Sequence, residues 1–173
     1  MAPLAPQHTG LTVSKQPVFY WYLSQPWNGT IEFTLNQVGA IEPEFELELP
    51  QDTYQTGFHY LKLSDYDVSL EENIEYEWFI VIIPDPMERS GDLLASGTVR
   101  YLDMPTHLSA QLNDTPQEQR YQVYAENGIW YDAIDELNQL IKAQPENTFL
   151  HQQRAELMKQ VKLQKVALYD LNT

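Results

Sequence analysis

Cysteine is absent from the 173 residues of the chain. Its absence excludes disulfides, thiolate nucleophiles and zinc sites with cysteine ligands. No apolar run approaches the roughly 18 residues that suggest a membrane-spanning helix. The first residues, 1–6, lack the basic and apolar segments of a signal peptide. We therefore expect either a cytosolic protein or one whose signal segment has been removed.

Basic residues are scarce: the chain has 10 Lys and Arg residues and 25 Asp and Glu residues, which give a formal net charge of −15. Residues 1–105 hold 4 of the basic and 16 of the acidic residues, so most of the negative charge lies there. Such a field repels phosphate backbones and anionic lipids. Nucleic acid and membrane insertion are therefore not expected, whereas cationic partners and divalent metals stay open.

Signatures of catalysis and of cofactor binding are also missing. The chain has no G-x-S-x-G elbow, phosphate-binding glycine loop or dinucleotide fingerprint. Its histidines lie far apart, and none has another at helical metal-ligand spacing: His8, His59, His107 and His151. We expect no enzyme activity, no cofactor and no metal site.

Short apolar runs alternate with turn residues from Leu11 to Leu102, the spacing typical of a sandwich or barrel. This pattern predicts an all-β sandwich of about seven strands over residues 1–105. The predicted strands are Leu11–Ser14, Pro17–Leu23, Thr30–Gln37, Glu44–Leu49, Gly57–Leu63, Ile74–Ile83 and Ser96–Tyr101.

The third and fourth of these strands alternate cleanly between inward apolar and outward polar residues, with Ile31, Phe33 and Leu35 facing the core of the third. The outward row of glutamates on the fourth is interpreted as a solvated face, with a calcium or cationic-partner surface as the alternative. The second strand is apolar on both faces, so something covers its outer face as well. The candidates for an aromatic patch there are Tyr20, Tyr22, Phe58 and Tyr60.

One stretch of the chain carries a likeness to a known sandwich. Leu70 lies six residues before Tyr76, and Trp78 follows two residues later. This spacing resembles the turn into the sixth strand of fibronectin type III domains. The resemblance implies a tyrosine corner, in which the Tyr76 hydroxyl bonds nearby backbone. It makes Tyr76 and Trp78 structural residues of an immunoglobulin-like or fibronectin-like fold.

Helical signals begin after residue 105 and predict four helices, near residues 106–112, 116–127, 131–144 and 148–161. Thr115 and Glu118 form a predicted capping box for the second helix, and Gly128 is expected to end it. A further set has the spacing of the tetratricopeptide repeat: Tyr124, Gly128, Trp130, Ala133, Ile134, Leu137 and Pro145. We assign Gly128, Trp130, Ala133 and Pro145 structural roles.

A weaker second copy follows 34 residues later, with Ala167 beneath Ala133 and Lys162 in the position of the glycine. The helical region, residues 106–173, therefore resembles about one and a half tetratricopeptide repeats. Because such repeats need roughly three copies to stand alone, we expect a small tail docked on the aromatic patch. The alternative is that the patch binds carbohydrate or a protein ligand.

The loop between the sixth and seventh strands concentrates charged and polar residues: Asp85, Pro86, Glu88, Arg89, Ser90 and Asp92. We interpret it as a rigid turn in which Arg89 pairs with a neighbouring carboxylate. A binding loop is the first alternative. Acid–base catalysis by Asp85 and Glu88 is the remote one, because it needs a cleft that raises one pKa.

Five segments in order along the chain carry a wider resemblance, namely residues 8–12, 16–22, 76–79, 85–90 and 124–133. They resemble the bacterial family called domain of unknown function 928. Members typically carry an export signal, so the resemblance implies a periplasmic or extracellular location. No catalytic activity is established for that family.

These observations favour a non-catalytic module of the bacterial envelope that binds or assembles a protein partner. That step is an analogy from fold. The alternative is a carbohydrate-binding module in which Trp27 acts with Tyr20 or Tyr22 as a stacking platform. A hydrolase built on Asp85 and Glu88 is the remote alternative.

Overall fold

The computed structural model describes residues 1–50 and 53–171, which form ten strands and five α-helices. The strands are β1 (Ala2–Pro3), β2 (Gly10–Thr12), β3 (Val18–Leu23), β4 (Trp27–Asn28), β5 (Ile31–Gln37), β6 (Phe45–Glu48), β7 (Thr53–Tyr54), β8 (Gly57–Lys62), β9 (Glu75–Ile82) and β10 (Leu93–Tyr101). The helices are α1 (Thr106–Asn113), α2 (Arg120–Glu126), α3 (Trp130–Ala143), α4 (Thr148–Gln160) and α5 (Gln164–Asp170).

Two sheets of unequal size enclose the strand core. One has the order β1-β3-β8, and the other has the order β2-β10-β9-β5-β6, in which β2 alone pairs in parallel. Phe19 of β3 lies between the sheets, with its ring centroid 5.6 Å from that of Phe33 and 5.0 Å from that of Trp78. The predicted inward residues Ile31, Phe33 and Leu35 are completely buried.

All seven predicted strands are present, with ends that shift by at most three residues. Three further strands, β1, β4 and β7, have only two residues each. A two-residue strand shows no alternation, so its sequence carries no period for prediction.

Helix α3 is part of the same core as the strands. Its Tyr131 meets the Phe19 ring edge-on with centroids 5.6 Å apart. The Tyr131 hydroxyl accepts a hydrogen bond from Trp78 Nε1 at 2.8 Å and donates to the Thr98 carbonyl at 2.9 Å. At the first residue of the same helix, Trp130 Nε1 donates to the Leu4 carbonyl at 2.9 Å. The helix therefore closes the strand core with apolar and polar contacts together.

The predicted fold class, an all-β sandwich with a small helical tail docked on it, is wrong. The fold is mixed α/β, with 35% of residues helical and 30% in strands. The physical reason is the shared interior, because one apolar cluster runs from Phe19 through Tyr131 to Ala167. Strand periodicity shows which residues are buried, but it does not show that helical side chains bury them.

The predicted capping box at Thr115 is also wrong. The Thr115 hydroxyl donates to the Gln111 carbonyl at 2.6 Å, so it serves the end of α1 and caps no following helix. A single 3-10 turn over Gln117–Gln119 precedes α2, which begins at Arg120.

Two helix junctions share one geometry. Gly128 and Lys162 lie 34 positions apart and both have a left-handed backbone, with φ of 73° and 66°. After each, the next N–H bonds the carbonyl five residues back, at 2.9 Å for Ile129 and for Leu163. This is the Schellman ending of a helix, which glycine adopts freely and lysine adopts at a cost of about 1 kcal/mol.

Candidate functional site

Strand β8 forms one edge of the three-stranded sheet, so only one side of its backbone pairs with β3. The Tyr20 carbonyl of β3 accepts the Leu4 N–H at 2.9 Å and therefore points toward β1. Hydrogen-bonding groups alternate in direction along a strand. The residues on either side of Tyr20 consequently bond β8, opposite His59 and Leu61.

The alternate residues of β8, Phe58, Tyr60 and Lys62, direct their N–H and C=O groups away from β3. We call this side the β8 edge. No strand of residues 1–50 and 53–171 pairs along it. An unpaired row of backbone donors and acceptors is a ready template for another strand.

A groove of about 520 Å³ runs along one face of the β8 edge, between β8 and helices α3 and α4. We call it the outer groove. Its lining residues are Tyr20, Phe58, Tyr60, Lys62, Asn138, Gln139, Ile141, Lys142, Ala143 and Arg154. The floor is aromatic and the rim is amide and cationic, and no carboxylate of the described residues lines the groove. The Tyr60 side chain is 49% exposed and lies 5.7 Å from the Lys62 ammonium group.

Arg154 fixes the helical wall of the outer groove. Its Nε and Nη2 donate to the buried Asp170 carboxylate at 2.7 and 2.5 Å, and its Nη1 donates to Asn138 Oδ1. The guanidinium also lies 4.1 Å above the Phe58 ring. His151 Nδ1 contacts the same carboxylate at 2.8 Å. The guanidinium of Arg154 therefore already has its partners within the protein, and it links α4 to α5 and β8.

A second cavity, of about 270 Å³, lies against the other face of the β8 edge. We call it the inner hollow. Phe58, Tyr60 and Lys62 of β8 border it. Its walls are formed by Trp21, Leu49, Pro50, Tyr54, His59, Leu61, Asp65 and Tyr66. His59 stacks on Trp21 with centroids 5.9 Å apart, and its Nε2 faces the Gln55 carbonyl at 2.8 Å. The buried Trp21 Nε1 has no acceptor among the described residues.

Four of the five predicted aromatic candidates lie on β3 and β8, where Tyr20 is opposite Tyr60 and Tyr22 is opposite Phe58, but two of the four are not exposed. Tyr20 and Tyr22 are only 7% and 9% exposed, so the prediction that they are surface aromatics is wrong. Tyr20 donates to Asp135 of α3 at 2.8 Å, and burial together with the Asp135 charge raises the Tyr20 pKa. The Tyr22 ring packs on Tyr169 of α5 at 4.9 Å.

Of the other two members of the patch, Phe58 is half-buried and Tyr60 is exposed. Both residues border the two cavities. The fifth candidate, Trp27, lies apart from them in β4, where its Nε1 donates to the Thr30 carbonyl at 3.2 Å. A flat platform that joins Trp27 to Tyr20 or Tyr22 is therefore not present.

The predicted binding loop lies outside both cavities. Arg89 contacts Asp92 at 2.6 Å, as the sequence predicted, and also Glu32 at 2.9 Å. Ser90 bonds Glu88, and Asp85 accepts the Met87 N–H at 2.9 Å. Exposed Pro86 completes this turn. The side chains of the loop thus bond one another and Glu32, while the Asp92 Oδ1 atom is buried without a partner among the described residues.

The residues with predicted structural roles occupy the core or the helix junctions. The Tyr76 hydroxyl accepts the Glu71 N–H at 3.2 Å while its ring is buried, which is the geometry of a tyrosine corner. Ala133 is completely buried between helices, and the Pro145 carbonyl faces His151 Nε2 at 2.9 Å.

A half-buried carboxyl group joins α3 to the start of the chain. Asp132 accepts the Val13 N–H at 3.1 Å and a hydrogen bond from Thr12. Burial raises its pKa to about 6, and these hydrogen bonds oppose the rise only in part. Asp132 is therefore the carboxyl group that makes this contact sensitive to mildly acidic pH.

Fold and site together define a mixed α/β protein whose helices cover one face of a small sheet, with the β8 edge unpaired among the described residues. A family model described as Domain of Unknown Function (DUF928) matches residues 1–171. The chain belongs to this family. No curated protein matches the chain.

The described residues can be compared with the requirements of a membrane-spanning segment and of a metal site. None of their helices is long and apolar enough to span a bilayer. Nor do they contain a cluster of three or more His, Asp or Glu side chains suited to a metal ion.

Sequence reasoning missed the polar residues of the site: Tyr54, His59, Asn138, Gln139 and Lys142. Asn138, Gln139 and Lys142 reach the outer groove because α3 docks beside β8, whereas Tyr54 and His59 line the inner hollow. The aromatic excess of β3 and β8 was the available signal for this region. It could not show which of the two strands has a free edge.

Proposed function

We propose that this protein is a non-catalytic protein-interaction module that binds an extended segment of its partner as an added strand along β8. The observation that supports this proposal is the unpaired β8 edge between two cavities. In such binding, main-chain hydrogen bonds supply affinity, and pockets for alternate side chains supply specificity.

The pleat of β8 determines where the side chains of an added strand point. Residues of the partner opposite Tyr60 share its face and enter the outer groove. Residues opposite His59 and Leu61 enter the inner hollow, which is mostly aromatic and apolar. A segment of about six residues matches the six residues of β8.

The two alternative functions have less support. Carbohydrate stacking on Trp27 with Tyr20 or Tyr22 needs a shared exposed platform, whereas both tyrosines are buried. Hydrolysis by Asp85 and Glu88 needs a cleft around these carboxylates, but both lie on an exposed turn.

Relatedness to known binding folds is part of the same proposal. The tyrosine-corner hydrogen bond at Tyr76 supports a fibronectin-like origin of the strands. The matching helix junctions at Gly128 and Lys162 support a tetratricopeptide-like origin of the helices. Both kinds of module commonly bind proteins, and the family resemblance adds an exported location to the proposal.

A selection from a displayed library of extended octapeptides tests the proposal, with binding measured for the wild type, Tyr60→Pro and Tyr60→Ala. Proline removes the N–H that faces the open edge and spares the bonds to β3. We expect Tyr60→Pro to weaken the selected peptides at least tenfold more than Tyr60→Ala does. Equal affinity of Tyr60→Pro and Tyr60→Ala, or glycan binding without peptide binding, would contradict strand addition.

A further inference from the structure

The outer groove has a charge opposite to that of the protein as a whole. Three of the chain's ten Lys and Arg residues line it, and no carboxylate in the described part of the chain does, although the net charge is −15. Carboxylates that lie close behind its walls are already engaged, since Asp135 accepts from Tyr20 and Gln139, and Asp170 accepts from Arg154.

Two of the three cations are available to a ligand. Arg154 is 5% exposed and bonded to Asp170, so it contributes to the wall. Lys62 and Lys142 have no ion pair within the described part of the chain, and Lys142 is exposed. Lys62 extends from β8, and Lys142 lies near the end of α3 on the opposite wall of the groove. Each of the two walls therefore carries one cation.

We infer that the partner segment is acidic, with Asp or Glu at alternate positions that enter the outer groove and apolar or aromatic residues at the positions between them. This inference rests on strand addition at β8, which fixes the two-residue spacing. Carboxylates at that spacing reach Lys62 and Lys142, and the intervening side chains reach the inner hollow. The amides of Asn138 and Gln139 already donate to the Ile134 carbonyl and to Asp135, so they complete the wall beside the two lysines.

The remaining negative charge of the protein does not prevent this contact. At an ionic strength of 0.15 M the Debye length is about 8 Å, so distant carboxylates are largely screened while the groove lysines act at close range. Exposed ion pairs contribute little each. Two such pairs correspond to a preference of about 3- to 10-fold for an acidic over a neutral segment.

Calorimetric titration of the full chain with three blocked octapeptides tests the inference. The peptides alternate Val with Glu, with Gln or with Lys. We expect the Glu peptide to bind about 3- to 10-fold more tightly than the Gln peptide, and the Lys peptide most weakly. The preference for Glu should disappear in Lys62→Gln/Lys142→Gln and persist in Lys165→Gln, which removes an exposed lysine outside the groove.

The possible failures separate the two proposals. If the Glu and Gln peptides bind equally and Tyr60→Pro abolishes both, the charge preference is wrong and strand addition stands. If Tyr60→Pro and Tyr60→Ala bind the Glu peptide equally, strand addition is wrong. The inference of an acidic partner segment is then wrong as well, because it depends on strand addition. If no peptide binds but oligogalacturonate does, and the double lysine variant loses it, the groove selects an acidic sugar and the peptide assignment is wrong.

Discussion

The three-stranded sheet has a sealed face and an open edge, and the two differ in how their polar groups are satisfied. On the sealed face Tyr20 bonds Asp135, and Arg154 joins α4 to Asp170 and Phe58. At the β8 edge the backbone of Tyr60 and its alternate neighbours faces two cavities, and no strand of the described residues lies beside it. The sealed face therefore supports stability, and the open edge is free to serve binding.

The largest effect is expected from Arg154→Met on the sealed face. The change leaves the buried Asp170 carboxylate with the His151 ring as its one remaining side-chain partner among the described residues. Removing one member of a buried pair costs about 3 kcal/mol of the free energy of unfolding. Urea unfolding measures it, and the double variant Arg154→Met/Asp170→Asn should recover part of the loss. A double variant that is less stable than Arg154→Met would contradict this explanation.

A smaller loss is expected from Tyr131→Phe, which keeps the ring and removes the hydroxyl. Trp78 Nε1 and the Thr98 carbonyl then lose their partner within the core. Unsatisfied buried groups of this kind cost about 2 kcal/mol. Tyr124→Phe is a matched control in a half-buried helical position. Equal unfolding free energies for the two variants would show that the Trp78–Tyr131–Thr98 chain does not stabilise the core.

A pH-dependent effect is expected from Asp132→Asn. Because burial raises the folded-state pKa of Asp132 from 3.8 to about 6, the folded protein binds a proton more readily than the unfolded chain. This contribution makes the wild type more stable as pH falls from 7 to 4.5. Since Asp132 keeps some contact with solvent, we expect a difference of about 1 to 2 kcal/mol.

Unfolding at pH 7 and pH 4.5 measures this contribution. Asp132→Asn should show less stabilisation on acidification than the wild type, and the exposed Asp114→Asn should behave like the wild type. An identical pH response of Asp132→Asn and wild type would mean that burial does not govern this carboxyl group.

The strands could be predicted from the sequence because period-two alternation is a local property. Ile31, Phe33 and Leu35 illustrate this, since they are buried where the alternation placed them. The double-sided apolar character of β3 also indicated a cover over Tyr20 and Tyr22. Long-range contacts could not be predicted, because nothing local shows that Tyr131 bonds Trp78 or that Leu4 contacts Trp130.

The candidate site was predictable only in part for the same reason. Phe58 and Tyr60 were identified as surface candidates, and both border the cavities. The charged loop at Asp85 was a candidate because of its composition, yet its side chains bond one another and Glu32 outside both cavities. Whether a strand lies at an edge depends on pairing with distant strands, which residue alternation does not encode.

The most direct test of the contrast between sealed face and open edge is Tyr60→Pro, measured for both stability and peptide binding. Because the Tyr60 N–H makes no bond to β3, the free energy of unfolding should stay within about 0.5 to 1 kcal/mol of that of Tyr60→Ala. Affinity for the selected peptide should fall at least tenfold relative to Tyr60→Ala. Unchanged affinity, with the fold intact, would contradict the assignment of the β8 edge as the binding surface.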